Sequence, residues 1–326
     1  MNKYRVAVLR GGPSEEYDVS IATGAGVLSA IDTDRYQPLD VVITKSGEWL
    51  LGGRVRTPQD IACSVDVVFL ALHGAYGEDG TVQRLLDTLG VPYTGSGAFP
   101  SAIALNKAMT KDRLRDSGIN MARHMLVNSD ACSNIDGMAQ SINELFGPRY
   151  VVKPVSSGSS IGTIIADNPH MLAAALRKSL GQYEQVLVEE FIAGKEATCG
   201  VLNNFRNQSI YALPVVEIIP PQKAGFFNYE VKYNGETQEI CPGRFSHAEK
   251  EEIERLAKMV HETLELSQYS RSDFIIRDDG VYFLEINTLP GLTPESLIPK
   301  ALGAVGCSYQ EFVHHLIDDA LLSRRR

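Results

Sequence analysis

Two short runs, Ser272-Asp273-Phe274 and Phe283-Leu284-Glu285-Ile286-Asn287-Thr288, hold two carboxylates and an amide at positions a β-hairpin would bring together. Residues two apart on a strand face the same side, so Glu285 and Asn287 project together. An Asp279-Gly280 turn then places Asp273 beside them. A set of hard oxygens of this kind suits Mg²⁺ bound with nucleotide phosphates. The same alternation also fits an ordinary hairpin with its polar residues facing water. Arg271 lies next to the acidic cluster. Leu289-Pro290-Gly291 follows as a rigid turn whose backbone N–H could meet an oxyanion.

A second group is Val152-Lys153-Pro154 followed by the Ser/Gly run Ser156–Gly162. Glycines let the backbone close over phosphates, and N–H and hydroxyl groups can bind their oxygens. The lysine precedes the loop rather than following it, so this is not the P-loop pattern. A flexible surface loop is the alternative reading. A third group, Glu189-Glu190-Phe191-Ile192-Ala193-Gly194-Lys195-Glu196, ends an apolar strand with carboxylates that could accept from an adenine amino group or ribose hydroxyls. Exposed strand ends with glutamate are common, so it carries little alone. The same holds for Lys107.

These groups need elements to hold them. Tyr4–Leu9, Leu39–Thr44 and Val65–Leu72 are continuous apolar strands, and Val19–Ile31 reads as a helix between the first two. That alternation predicts a parallel, Rossmann-like sheet with ligands at the strands' C-terminal ends. Pro92–Pro100 reads as a boundary. One helix is expected over Ala102–Ser117. Strands at His124–Val127, Tyr150–Pro154, Thr163–Ala166 and Val186–Phe191, with helices Ile135–Phe146 and Pro169–Leu180, form a small α+β unit. A larger unit follows. Its strands are Glu196–Leu202, Ile210–Ile219, Arg271–Arg277 and Val281–Ile286, around a helix Ala248–Leu266, with Ser308–Leu322 as the closing helix. The expected division is residues 1–95, 96–192 and 193–326.

Composition narrows the function classes. The chain has 326 residues, 44% hydrophobic and 22% charged, with a net charge of -9. That balance argues against a general nucleic-acid binder, which needs a basic field. No run approaches the length needed to span a bilayer, and the N-terminus lacks a signal-peptide pattern. Five dispersed cysteines fit reduced thiols. The expectation is a cytoplasmic protein with no membrane or nucleic-acid partner.

Taken in order, these pieces resemble the ATP-grasp superfamily, in which two α+β units grip ATP. Gly11-Gly12-Pro13-Ser14-Glu15-Glu16, His73-Gly74 with Gly77-Glu78-Asp79-Gly80, Tyr93-Thr94-Gly95-Ser96, Lys232-Tyr233 and Glu285–Gly291 together look like the D-alanine–D-alanine ligase family. The resemblance runs from about Tyr4 to the last helix. It implies a Rossmann-like N-terminal domain followed by a two-part ATP-grasp fold. The implied reaction joins two D-alanines at the expense of ATP through a D-alanyl phosphate, for peptidoglycan precursor synthesis.

By the same resemblance, Lys107 and Lys153 would contact the α and β phosphates, and Ser159, Ser160 and Gly162 would form a lid. Glu189, Glu190 and Glu196 would serve adenine and ribose, with Ile192 as an apolar backbone contact. Asp273, Glu285 and Asn287 would carry two Mg²⁺ (or Mn²⁺) ions. Arg271 and the Gly291 N–H would stabilise an oxyanion. Glu16 would pair with the first D-alanine's ammonium, and His73 would orient that substrate. Ser296 and Leu297 would receive the second D-alanine's carboxylate at a helix N-terminus. Lys232 would meet the transferred phosphate, and Tyr233 would bond toward Glu16 and Ser159. Glu295 departs from the family's usual residue and adds negative charge beside Ser296. A homodimer is implied. Rival readings are a D-alanine–D-lactate ligase, another ATP-grasp carboxylate–amine ligase, and a nucleotide sensor without turnover.

Overall fold

The computed structural model describes residues 3–158, 161–221 and 237–323. The chain opens with β1 (Tyr4–Gly11), α1 (Tyr17–Ala30), β2 (Tyr36–Ile43), β3 (Trp49–Leu51), β4 (Arg54–Arg56), α2 (Pro58–Ser64), β5 (Val67–Leu70) and α3 (Thr81–Leu89). The sheet order is β4-β3-β2-β1-β5. As expected of buried apolar strands, β1 runs parallel to both β2 and β5. The β3–β4 hairpin was not anticipated. Its Gly52-Gly53 turn has positive φ at both residues (58° and 73°), the two-residue geometry that glycine adopts without strain. The loops after β1 and β5 carry Glu16 and His73 to the same edge of this sheet.

Next come α4 (Ala98–Leu105), α5 (Lys107–Leu114), β6 (Asn120–Met121), β7 (His124–Asn128), α6 (Ile135–Phe146), β8 (Tyr150–Pro154), β9 (Ile164–Ala166), α7 (Pro169–Leu180) and β10 (Gln185–Glu190). The single helix expected over Ala102–Ser117 is two. Asn106 leaves helical geometry (φ −85°, ψ 102°), and its side chain accepts the Met109 N–H, capping α5. Asparagine favours that role over a helix interior. The sheet β7-β10-β8-β9 is antiparallel, with α6 and α7 against one face.

The last part comprises β11 (Lys195–Phe205), β12 (Gln208–Ala212), β13 (Val216–Ile219), β14 (Gln238–Ile240), α8 (His247–Thr263), β15 (Tyr269–Arg277), β16 (Gly280–Asn287), α9 (Leu297–Ala304) and α10 (Tyr309–Ser323). The strand expected over Ile210–Ile219 is broken at Leu213-Pro214-Val215, where proline has no N–H for the ladder. The sheet runs β14-β13-β11-β15-β16-β6, with β12 on β11. Its inner face packs on α8. Phe312, Val313, Leu316 and Ile317 of α10 share one core with the strands of the first sheet, so the two ends of the chain are packed together. Cys63, Cys199, Cys241 and Cys307 are all free thiols.

Candidate active site

The β15–β16 hairpin shows how local sequence positions the oxygen set. Arg277 pairs with Gly280, so the turn residues are Asp278-Asp279, one position earlier than the expected Asp279-Gly280. That register alone would set Asp273 opposite Leu284 and turn Glu285 to the core with Phe283. A bulge intervenes. Phe274 faces Phe283, yet Asp273 faces Glu285 and Arg271 faces Asn287. Leu284 is the extra residue, and a bulge reverses the facing of all that follows it. Phe274 and Phe283 therefore stay in the α8 core, while Arg271, Asp273, Glu285 and Asn287 share the opposite face. Period-two reading groups Glu285 with Asn287 but cannot reveal this change of face.

Asp273 is well supplied with donors. Arg271 reaches it with Nε and a terminal nitrogen, each at 3.0 Å, and Thr198 Oγ1 donates at 2.6 Å. Asn287 Nδ2 lies 3.5 Å from the same carboxylate. Burial works against the Arg271 charge, but Asp273, Glu285 and Glu78 outweigh it and raise its pKa. Among the described residues no three His, Cys, Asp or Glu side chains cluster as a metal centre. The oxygen set is two carboxylates and one amide, which fits a hard divalent cation sharing its shell with phosphate and water. Thr198, silent in the sequence, is part of this cluster.

Lysines approach the other end of the cleft. Lys107, first residue of α5, donates to the Ser157 carbonyl at 2.6 Å and stands 3.6 Å from Glu285. Burial lowers its pKa. Lys153, next to last in β8, pairs with Glu189 at 2.7 Å, and Lys111, one turn along α5, pairs with the other Glu189 oxygen at 2.8 Å. Burial alone would raise the Glu189 pKa; the two ammonium groups overcome it and hold the carboxyl at about 2. Glu189 thus sits deep among lysines, not at an exposed strand end. Glu190 turns to Arg123, which donates to it through Nε at 2.7 Å. Ile192, Ala122 and Ile275 make an apolar floor with Leu284 and Tyr282.

The N-terminal loops close the far side. His73 is buried, with Nδ1 donating to the Leu289 carbonyl at 2.8 Å and Nε2 2.8 Å from Thr23 Oγ1. A carbonyl can only accept, so Nδ1 carries the proton. Both ring nitrogens are committed within the protein. Glu78, which its loop sequence does not single out, is the strongest tie here. Its carboxylate accepts from Gly74 N at 3.0 Å, Thr288 N at 3.0 Å, Leu289 N at 2.9 Å and Thr288 Oγ1 at 3.2 Å. Burial, with the nearby Glu16, pushes its pKa up, against His73 and these donors. Leu289 is gripped at both ends, its N–H by Glu78 and its carbonyl by His73.

Glu16 lies so near Gly74 and Gly158 that a Cβ on either would come within 2.8 and 2.7 Å of its carboxylate. Gly74 also has φ of 67°, so a side chain there is doubly disfavoured. Ser296 is the N-cap of α9, and its hydroxyl meets Thr293 Oγ1 at 2.9 Å instead of the helix N–H groups.

Two cavities bracket these groups. One, of about 350 Å³, is lined by Lys107, Lys153, Glu189, Glu190, Ile192 and Glu196, together with Asp273 and Glu285. The other, of about 430 Å³, is lined by Glu16, His73, Asn287, Gly291, Glu295 and Ser296. Arg271 and Leu297 line both, so the cavities meet at the oxygen set. Ser159, Ser160, Lys232 and Tyr233 lie outside the described residues.

An elongated polyanion lying against the lysines in one cavity would reach a small zwitterion in the other at Arg271. Known proteins resemble this chain along almost its whole length. The family model described as the D-ala D-ala ligase C-terminus matches residues 114–318, and that for the D-ala D-ala ligase N-terminus matches residues 5–61 and 54–96. A D-alanine–D-alanine ligase of Syntrophobacter fumaroxidans is 38% identical over 98% of each chain. Among solved structures, the VanG D-Ala:D-Ser ligase of Enterococcus faecalis aligns with a TM-score of 0.85 at 27% identity, covering 98% of this chain and 100% of that one. The D-alanine–D-alanine ligase of Bacillus anthracis complexed with ATP aligns at 0.81 with 30% identity, over 99% of both. The likeness carries the ATP-grasp fold.

Proposed function

The chain belongs to the D-alanine–D-alanine ligase family, and from that premise we propose how its own residues carry the reaction. The activity is ATP-dependent ligation of two D-alanines to D-alanyl-D-alanine, a peptidoglycan precursor. A carboxylate oxygen of the first D-alanine attacks the γ-phosphorus, and ADP leaves. The amine of the second attacks the acyl phosphate carbonyl, loses a proton, and phosphate departs. Most of the acceleration then comes from positioning and charge stabilisation.

Lys107 and Lys153 bind the phosphates. Ile192 and the apolar floor hold the base, and Glu189 and Glu196 supply acceptors for adenine and ribose. Glu190, tied to Arg123, contributes to the wall. Asp273, Glu285 and Asn287 hold two Mg²⁺ or Mn²⁺ ions, which when bound neutralise polyphosphate charge. Glu16 takes the first D-alanine's ammonium. His73 holds the 287–291 segment through Leu289 and by that means orients the substrate. Arg271 and the Gly291 N–H face the developing oxyanion, and the first turn of α9 at Ser296 and Leu297 receives the second carboxylate. Ser159 and Ser160 keep their proposed lid role, Lys232 meets the transferred phosphate, and Tyr233 bonds toward Glu16 and Ser159. The three-part division at residues 1–95, 96–192 and 193–326, a homodimer and a cytoplasmic location complete the proposal. No described helix is long and apolar enough to cross a membrane.

The observation that carries this reading is the shared face of Arg271, Asp273, Glu285 and Asn287 where the two cavities meet. The test is D-alanine-dependent phosphate release from Mg-ATP with the product identified by mass. D-alanyl-D-alanine is expected. Dominance of a D-lactate or D-serine product when D-alanine competes with either at neutral pH would overturn the choice of second substrate.

A further inference from the structure

Lys111 is the one lysine of this cluster that touches neither cavity. It lies one helical turn beyond Lys107 on α5, with its side chain 1% exposed. Its ammonium is 2.8 Å from Glu189 Oε1 and, among the described residues, no aligned hydrogen-bond acceptor meets it. Lys153 holds the opposite oxygen of the same carboxylate and does line the cleft. Two ammonium groups thus share one carboxylate, which leaves a single net positive charge.

Without Lys111, Glu189 and Lys153 would form a neutral pair, and the lysine's field in the cleft would be cancelled. Packing does not require a charge at this position. Burial disfavours it and lowers the Lys111 pKa, while Glu189 opposes that loss. Taking one ion out of a buried group costs stability where it strands a partner; without Lys111, Glu189 would keep Lys153 on one oxygen and lose its neighbour on the other. Glu190 on β10 and Lys107 on α5 add smaller fields of opposite sign around the trio.

We propose that Lys111 is a positioning residue for the nucleotide: it neutralises Glu189 from behind the cleft wall and so leaves the Lys153 charge available to the ATP phosphates. The proposal rests on the reading of this cleft as the ATP site. It assigns Lys111 a part in ligand binding beyond any part in the fold.

The test uses the full chain with Lys111→Met and Lys111→Arg, measuring thermal midpoints with and without Mg-ADP, and KM for ATP and D-alanine. For Lys111→Met the midpoint without nucleotide is expected to fall while the protein stays folded, and the ADP-induced rise to be largely lost. KM for ATP should increase about tenfold while KM for D-alanine stays within about twofold. Lys111→Arg should keep most of the ADP-induced rise. A full ADP-induced rise in Lys111→Met, equal increases of KM for ATP and D-alanine in that variant, or equal losses in both variants would overturn the proposal. If the unsubstituted protein shows no ADP-induced rise, the nucleotide reading of the cleft falls first, which separates the two failures.

Discussion

Glu285 and Glu78 show two different uses of a carboxylate a few residues apart in space. Glu285 faces the cleft beside Lys107 and opposite Asp273. Glu285→Gln keeps size and hydrogen bonding but removes a charge. Phosphate release should fall below about 1% of the unsubstituted rate, with a far-ultraviolet dichroism spectrum unchanged; normal turnover would refute the metal assignment. Glu78 instead spends its oxygens on backbone N–H groups of the 287–291 segment. An amide there would set its own NH₂ against one of those donors. Glu78→Gln should therefore lower kcat/KM for D-alanine by roughly tenfold or more and leave KM for ATP near its starting value. Steady-state kinetics with each substrate varied in turn checks this. The identity of Glu285 as a candidate was legible from its spacing to Asn287. The role of Glu78 was not, because three of its four donors, on Thr288 and Leu289, lie some two hundred residues away in the chain, which no local pattern reports.

At the scale of elements, α5 and the β15–β16 hairpin matter most. Asn106 ends one helix and caps the next, and that break aims Lys107 at the cleft and sets Lys111 one turn on, behind its wall. Asn106→Ala should lower stability by about 1 kcal/mol through the lost cap. It should also raise KM for ATP, since both lysines ride on the first turns of α5; Asn106→Asp, which can still cap, should restore both. Chemical denaturation and nucleotide kinetics on the two variants decide it. A KM for ATP unchanged in the alanine variant would mean the helix start does not position the lysines. Helices Ile135–Phe146 and Pro169–Leu180 were readable in full, because each begins at an asparagine cap and keeps its apolar face. The split at Asn106 was open to the same logic. The bulge at Leu284 was not, since it is settled by which side chains the α8 core accepts.

Across the whole molecule, both ends of the chain meet in one core, and a buried histidine network joins α8 to the C-terminal sheet. His261 lies between Ser270 Oγ at 2.7 Å and Asn203 Oδ1 at 2.8 Å. Burial pushes its pKa down to about 4 from 6.5. The group is neutral in the folded state and readily protonated when unfolded. Its contribution is thus full above about pH 6.5 and is lost as pH falls toward 4, on the order of 3 kcal/mol in total. Denaturant midpoints between pH 7 and 4 should fall in this window, and His261→Gln should flatten that part of the profile. An equal slope in the variant would place the acid sensitivity elsewhere.

The sequence by itself determined the parallel strands of the first sheet, most helices of the central unit, and the grouping of Asp273, Glu285 and Asn287. These follow from alternation, capping and local spacing, which act over a few residues. Only the tertiary structure decided the rest. The bulge chose the face of the oxygen set, and Glu189 was moved from an exposed strand end to a buried triad with Lys111 and Lys153. Glu78 and His73 were assigned to hold Leu289 across the molecule. Each of these depends on burial and on partners distant in the chain, where the cost of an unpaired charge or N–H selects one arrangement among several that the local pattern allows.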